Sequence, residues 1–366
     1  MNKPVRILLR IALVVLAAAA AAAVLAAAFL TVAEYRPDEV EPLTVSGEAE
    51  RTLSVGEPVR VMTWNIGYGA LGDNADFFMD GGSSVMTASK DRVEQNLTDI
   101  TEEITAEDPD LLLLQEVDVN SARSHHIDET KWIGGKLKGD YAGAFAANFK
   151  VPFVPYPIPP VGKVDSGILT FSRLSVSDAV RMQLPVPFSW PVRTANLKRC
   201  MTVERLPVEG SSKELVLINL HLEAYDSGEG KLAQTNMLKG YLESEAHKGN
   251  YIIVGGDFNQ TFSNVKTDMY PQKEGTWKCG RIDTSLFEDF LLFLMDSSTP
   301  TCRSLDQPYD TFPGDKSDFQ YYVIDGFIVS DNIIVNSVKT KDLGFRASDH
   351  NPVIGEFILE ARELQP

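Results

Sequence analysis

An α/β domain carried behind one membrane-crossing helix is the fold class that this 366-residue chain predicts, on three observations. Short apolar runs of strand length alternate with longer segments whose apolar residues recur at helical spacing. No linker-like stretch interrupts residues 59–362, so the globular part reads as one domain. Ahead of it, Ile11 to Ala33 contains no charged residue.

That uncharged stretch (11–33) spans roughly 35 Å at about 1.5 Å per residue, enough for a hydrocarbon core of about 30 Å. The preceding flank (1–10) carries Lys3, Arg6 and Arg10 and no acid, which keeps it cytoplasmic and places the domain outside the cell membrane. The stretch exceeds a signal-peptide core of about 7–15 residues, so an uncleaved single-pass anchor is expected. Thr31-Val32-Ala33 offers a small-residue cleavage site, and secretion is the alternative. Residues 34–58 are acidic, hold Pro37, Pro42 and Pro58, and read as an extracytoplasmic linker lifting the domain off the bilayer.

The domain opens with a β-branched strand, Val59 to Thr63, running into Trp64-Asn65. Val93, Leu97, Ile100 and Ile104 make Lys90 to Thr105 a helix, and Asp110 to Leu114 is a run suited to a strand covered on both faces. Gly167 to Phe171 is a short strand. Lys198 to Pro207 and Glu214 to Leu222 form a long hairpin turning at Glu209 to Lys213. Lys231 to Ala246 is helical, and Tyr251 to Gly255, Val323 to Val329 and Val353 to Phe357 complete the strands. Two loops stand apart, Val151 to Gly162 with five prolines and Leu184 to Val192 with three. Both are stiff, and their aromatics either pack back onto the domain or form an apolar rim.

With 44% hydrophobic residues the chain can bury a sizeable core, and 51 acids against 34 bases, net −17, disfavour nonspecific polyanion binding. Cys200, Cys279 and Cys302 lack metal-ligand spacing. Outside the cell Cys279 and Cys302 could pair; three unpaired thiols are the equal alternative.

The chemistry sits where apolar runs end. Asn65, Gln115-Glu116, Asn219 and His221, Asp257-Phe258-Asn259, Asp325 and Ser348-Asp349-His350 follow one another at such ends. Cleaving a phosphate ester needs a cation, an aligned water and positive charge near the phosphoryl oxygens. Carboxylate and amide oxygens suit a hard ion such as Mg²⁺, with Mn²⁺ or Ca²⁺ as substitutes. An acid and an amide two residues apart, Asp257 and Asn259, suit a held water. A histidine braced by a carboxylate suits an imidazolium against phosphate.

This series resembles the endonuclease/exonuclease/phosphatase, or deoxyribonuclease I-like, superfamily over about residues 59 to 360. The resemblance implies a four-layer αββα sandwich of two mixed sheets flanked by helices, with the site at one end. It implies a metal site of Asn65, Glu116 and Asp349, with Glu116 the principal ligand. Asp257 with Asn259 would orient and deprotonate the water, His350 paired with Asp325 would stabilise the phosphoryl group, and His221 would contact it from the other side. Arg173 matches the superfamily's serine-arginine strand end less firmly. The superfamily often has a basic residue where this chain has Val323, and the site tyrosine of its nucleases has no match beyond Tyr156, which weighs against a nuclease. Outside the shared core, Arg123, His125 and His126 on the loop after Glu116 are candidates for substrate phosphate or headgroup recognition, with a solvated loop as the equal alternative. Asn96 and Asn259 head glycosylation patterns, and the second is expected to stay unused.

The expectation is a membrane-tethered, extracytoplasmic, Mg²⁺-dependent phosphoester hydrolase, a phosphodiesterase or phosphatase, acting on a phospholipid or phosphorylated small molecule. A deoxyribonuclease-type enzyme is the alternative. A non-catalytic scaffold or adhesion protein retaining the fold is the alternative of another class.

Overall fold

In the computed structural model, which describes residues 3–361, two β-sheets lie face to face with helices on their outer faces. Met1 and Asn2 of the basic flank and Arg362 at the domain's end lie outside the described residues. The principal strands are β1 Pro58–Asn65, β2 Leu111–Asp118, β3 Ala142–Val154, β4 Gly162–Ser172, β5 Asp178–Gln183, β6 Cys200–Glu209, β7 Glu214–His221, β8 Tyr251–Asp257, β9 Leu291–Leu294, β10 Asp325–Ser330, β11 Ile333–Thr340 and β12 Val353–Leu359. One sheet runs β11-β12-β1-β2-β4-β3 and the other β5-β6-β7-β8-β10-β9. Both are mixed, because β1 and β2 pair in parallel, as do β7 and β8.

Strand alternation builds the layers. Val59, Val61, Leu111 and Leu113 meet Leu215, Leu217, Ile253 and Phe327 between the sheets. Their neighbours Met62, Leu112 and Leu114 turn outward onto α2, Lys90–Glu107, which contributes Val93, Leu97, Ile100 and Ile104. Val216, Ile218, Ile252 and Val254 turn outward onto Leu238 and Leu242 of α3, Glu229–His247. Gly255 is required here because a Cβ would come within 2.6 Å of Leu113 from the opposite sheet. It therefore serves sheet packing inside β8, not the sharp turn that a Gly-Gly pair suggests.

Two parts differ from the sequence reading, and the cysteines take the unpaired one of its two alternatives. The segment read as a linker is a strap: Val40–Pro42 pairs with β5, Val45–Ser46 with β3 and Leu53–Ser54 with β6, and Leu53 is fully buried. The Pro-rich loop is the tip of a long β3–β4 hairpin whose strands run to Val154 and restart at Gly162. Its first strand opens on Ala142-Gly143-Ala144, residue types of low β-propensity. All three cysteines are free thiols, with Cys302 buried beside Tyr322 and Ile324.

At the N-terminus α1, Lys3–Val32, contains one segment, Pro4–Val32, long and apolar enough to cross a membrane, with a mean hydropathy of 2.7. Its last turns touch the domain. Leu30 is buried, and Thr31 Oγ1 accepts a hydrogen bond from Trp190 Nε1 at 3.0 Å.

Candidate active site

The site is the continuation of the inter-sheet core at one end, where the inward-facing positions change from aliphatic to polar. Along β1 the inward series passes from Val61 through Thr63 to Asn65, and along β2 from Leu113 to Gln115. Along β7 it passes from Leu217 through Asn219 to His221. Gln115 Nε2 donates to Asn219 Oδ1 at 2.8 Å, tying the two sheets together beneath the site. Sheet register does the rest: His221 lies opposite Asp257, and Asp257 opposite Asp325.

Asp257 is the centre of the group. Its Oδ2 accepts from Asn65 Nδ2 at 3.0 Å and lies 3.4 Å from His221 Nε2 and 3.8 Å from His350 Nε2. Its Oδ1 accepts from the backbone N–H of Asn259 at 2.8 Å. Asn259, at φ +51°, in turn donates Nδ2 to the Leu222 carbonyl. Burial, and then the charge of Asp325, push the Asp257 carboxyl up to about 7.

The histidines are held in opposite states. Burial disfavours an imidazolium at His350, yet Asp325, 2.9 Å from Nδ1, outweighs it and holds the group well above its ordinary value. His350 is therefore cationic at neutral pH. Burial, with Arg199 and His350 nearby, pushes His221 well below its ordinary value, so it stays neutral.

Glu116 reaches the cavity through a backbone irregularity. The β2–β4 register shifts between Leu114 and Val117, and Glu116 sits at φ +54° in that bulge. Such bulges re-aim a side chain. Asp349 lines the same cavity, and burial, with Glu116's charge adding to it, raises its carboxyl to about 6. The Asn65 amide oxygen accepts from Gly67 N–H at 3.0 Å and keeps a second lone pair. A donor set of two carboxylates and an amide oxygen fits a divalent hard cation.

The cavity measures about 870 Å³. Arg199, Glu223, Asp80, Tyr68 and Tyr225 also line it, and none of these was singled out as a site residue from sequence. They come from loops and short turns without a motif, except that Arg199 lies inside the predicted strand Lys198 to Pro207, one residue before β6 begins. Tyr68 is buried and its hydroxyl has no hydrogen-bond partner among the described residues. Tyr156 lines the outer cavity with its ring 69% exposed, away from the polar end.

The peripheral candidates separate. Arg123 lines the cavity, but its guanidinium is committed to Asp118 at 2.9 and 3.1 Å and lies over the Tyr68 ring. His125 Nε2 meets the Ala88 carbonyl at 2.9 Å and His126 Nδ1 meets Asn120 Oδ1 at 2.7 Å; neither lines the cavity. Arg173 is at the wrong end. β4 runs antiparallel to β2, so the residue after Ser172 lies beside Asp110, opposite the Glu116 end, and pairs with Asp108.

The family model of the endonuclease/exonuclease/phosphatase family matches residues 62–350. No curated protein matches the sequence. Among solved structures, the chain is similar to an endonuclease/exonuclease/phosphatase from Beutenbergia cavernae at TM-score 0.54 and 19% identity, over 83% of this chain and 72% of that one. The endonuclease/exonuclease/phosphatase from Bacteroides vulgatus gives 0.51 and 16%, over 83% and 100%. ANGEL2, a 2',3'-cyclic phosphatase in complex with adenosine-2',3'-vanadate, gives 0.52 and 15%, over 87% and 99%. These likenesses concern the fold, which is the four-layer sandwich that the sequence predicts. With its family model spanning both sheets and every strand end that bears the acid, amide and histidine groups, the chain belongs to the endonuclease/exonuclease/phosphatase family of phosphoester hydrolases.

Proposed function

We propose that the chain is a divalent-cation-dependent phosphodiesterase or phosphatase acting outside the membrane, with Asp257 as general base and His350 as the cationic contact to the phosphoryl group. The observation that carries this reading is the convergence of Asn65, His221, Asn259 and His350 on one buried carboxylate.

Asp257 would take a proton from water as that oxygen attacks phosphorus. A carboxyl near 7 is suited to this at neutral pH, because a base works best with a pKa near the operating pH. The Asn259 N–H fixes one carboxylate oxygen and Asn65 orients the other. His350, kept cationic by Asp325, faces the developing negative charge, and neutral His221 donates or accepts a hydrogen bond without adding charge. Glu116, Asp349 and the Asn65 oxygen would hold the cation, preferably Mg²⁺, which when bound neutralises phosphate charge. The new P–O bond forms from the water oxygen as the ester P–O bond breaks, the departing alkoxide takes a proton from solvent water, and the hydroxide so formed takes up the proton that Asp257 holds.

The extracytoplasmic placement rests on the apolar helix and the basic residues ahead of it. Purified full-length protein with Mg²⁺ is to be assayed on plasmid DNA, nucleotides, phosphoinositides and a phosphodiester lipid. Turnover of at least one ester, lost in Asp257→Asn protein that remains folded, is the expected result. No turnover of any would return the chain to the scaffold reading.

A further inference from the structure

The cavity has an unusual wall. Ala23, Ala26, Ala27 and Leu30, one face of α1 at spacing 3, 1 and 3, line the same space as Asp257 and His350. At about 1.5 Å per residue α1 is about 45 Å long, some 15 Å more than a hydrocarbon core of about 30 Å. Counted back from Glu34, the first charged residue after the span, Leu30 would lie about 6 Å and Ala23 about 16 Å inside, so the cavity-lining face would cover the acyl region of the outer half of the span. Phe188 and Val154, from the two proline-stiffened segments, extend the apolar wall.

The helix does not swing on a tether. Glu34 is 3.2 Å from Lys198 and 3.3 Å from Arg193, with its side chain almost fully buried. Trp190 donates to Thr31 just before it. The same segment continues into Arg199, which lines the polar end of the cavity, so the anchor and the chemistry are held in one frame. At the polar end Tyr68, 2% exposed, presents a hydroxyl with no partner among the described residues. A buried unpaired hydroxyl is costly unless something bonds to it.

We propose that the cavity takes its substrate laterally from the outer leaflet, and that the substrate is a phosphoester lipid. Its phosphate lies among Asp257, His350 and the Tyr68 hydroxyl, and its apolar chain lies along the Ala23–Leu30 face of α1. This rests on the hydrolase reading above and on the helix remaining attached. It accounts for an apolar helix forming a wall of a hydrolytic site, which a water-soluble substrate would not need. The net charge of −17 is also no obstacle to a ligand recognised by its chain.

The test uses the full chain in phosphatidylcholine vesicles with Mg²⁺. Phosphatidylglycerol and phosphatidic acid are offered beside their chain-free counterparts, glycerophosphoglycerol and glycerol phosphate, and bis-p-nitrophenyl phosphate. Lipid turnover is expected to exceed chain-free turnover by at least about 100-fold, since burying even a few methylenes is worth that much. Ala27→Trp, which fills the wall, should lower the lipid-to-soluble ratio by at least about tenfold. Independently of turnover, a phosphatidylcholine with a photoreactive acyl chain should label residues 23–30 and 188–197 of Asp257→Asn protein. Equal turnover of lipid and chain-free ester, or a ratio unmoved by Ala27→Trp together with no labelling of these residues, overturns the proposal while leaving the hydrolase reading intact. A mature membrane form lacking residues 1–33 overturns it as well. Labelling without hydrolysis of any ester would sink the hydrolase reading instead.

Discussion

The two ends of the sandwich use the same residue types to opposite effect. At the end away from the cavity acids are paired with arginines: Arg60 with Glu107 and Glu356, Arg51 with Asp110 and Glu57, Arg173 with Asp108, Arg205 with Glu245. Glu57, Glu107, Asp108 and Glu245 are all held below their ordinary values. At the cavity end acids face acids. Burial raises Asp257 and Asp80 to about 7 and Asp349 to about 6, with neighbouring carboxylates adding to it. The first arrangement closes the sheets; the second leaves negative charge waiting for a cation.

Exchanging one group at each end should separate activity from stability. At the cavity end Asp257→Asn is expected to lower kcat/KM by about 10²–10⁴-fold, the usual contribution of a positioned base. Its thermal midpoint should hold or rise, because a buried carboxyl disfavoured in its charged form is removed. A marked loss of stability would show that the cluster is structural. His350→Ala should lose about 10²–10³-fold, as for removal of one charge-stabilising group, measured with the same substrate.

At the other end Arg205→Ala is expected to cost about 1.5–3 kcal/mol, because Glu245 loses two charge-assisted hydrogen bonds, while kcat per folded molecule is unchanged. The pH dependence has a definite sign. Burial would raise Glu245, but Arg205, Lys248 and Asn250 together lower it beneath 4.5. The resulting stability is present above the unfolded carboxyl value and lost as pH falls through the folded one. Denaturant melts between pH 6 and 3 should therefore be steeper in the wild type than in Arg205→Ala. Equal slopes would refute this pairing. Arg173→Ala, which removes a partner from a 65% exposed Asp108 side chain, should change stability by less than about 1 kcal/mol and activity not at all.

Why the ends could be told apart in advance is clear from particular residues. Asp257 ends β8 and Asp325 opens the antiparallel β10, so alternation turns both into the space that Ile253 and Phe327 fill further down, while His350 comes from the loop ahead of β12. Arg173 follows an apolar run, and only the antiparallel pairing of β4 with β2 shows that its end points away. A strand-end motif carries no direction until its neighbours are known. Tyr68 and Asp80 enter from turns brought together by topology, with no periodicity to mark them. The 34–58 strap was illegible because two- and three-residue edge strands are too short to show alternation.

The contrast between paired and unpaired acids is tested most directly by Mn²⁺ titration of the full-length protein in detergent, followed by electron paramagnetic resonance. Saturable binding is predicted for the wild type and for Arg205→Ala, and its loss is predicted in Glu116→Gln. Absence of saturable binding to the wild type, or undiminished binding to Glu116→Gln, would contradict the cation site at the cavity end.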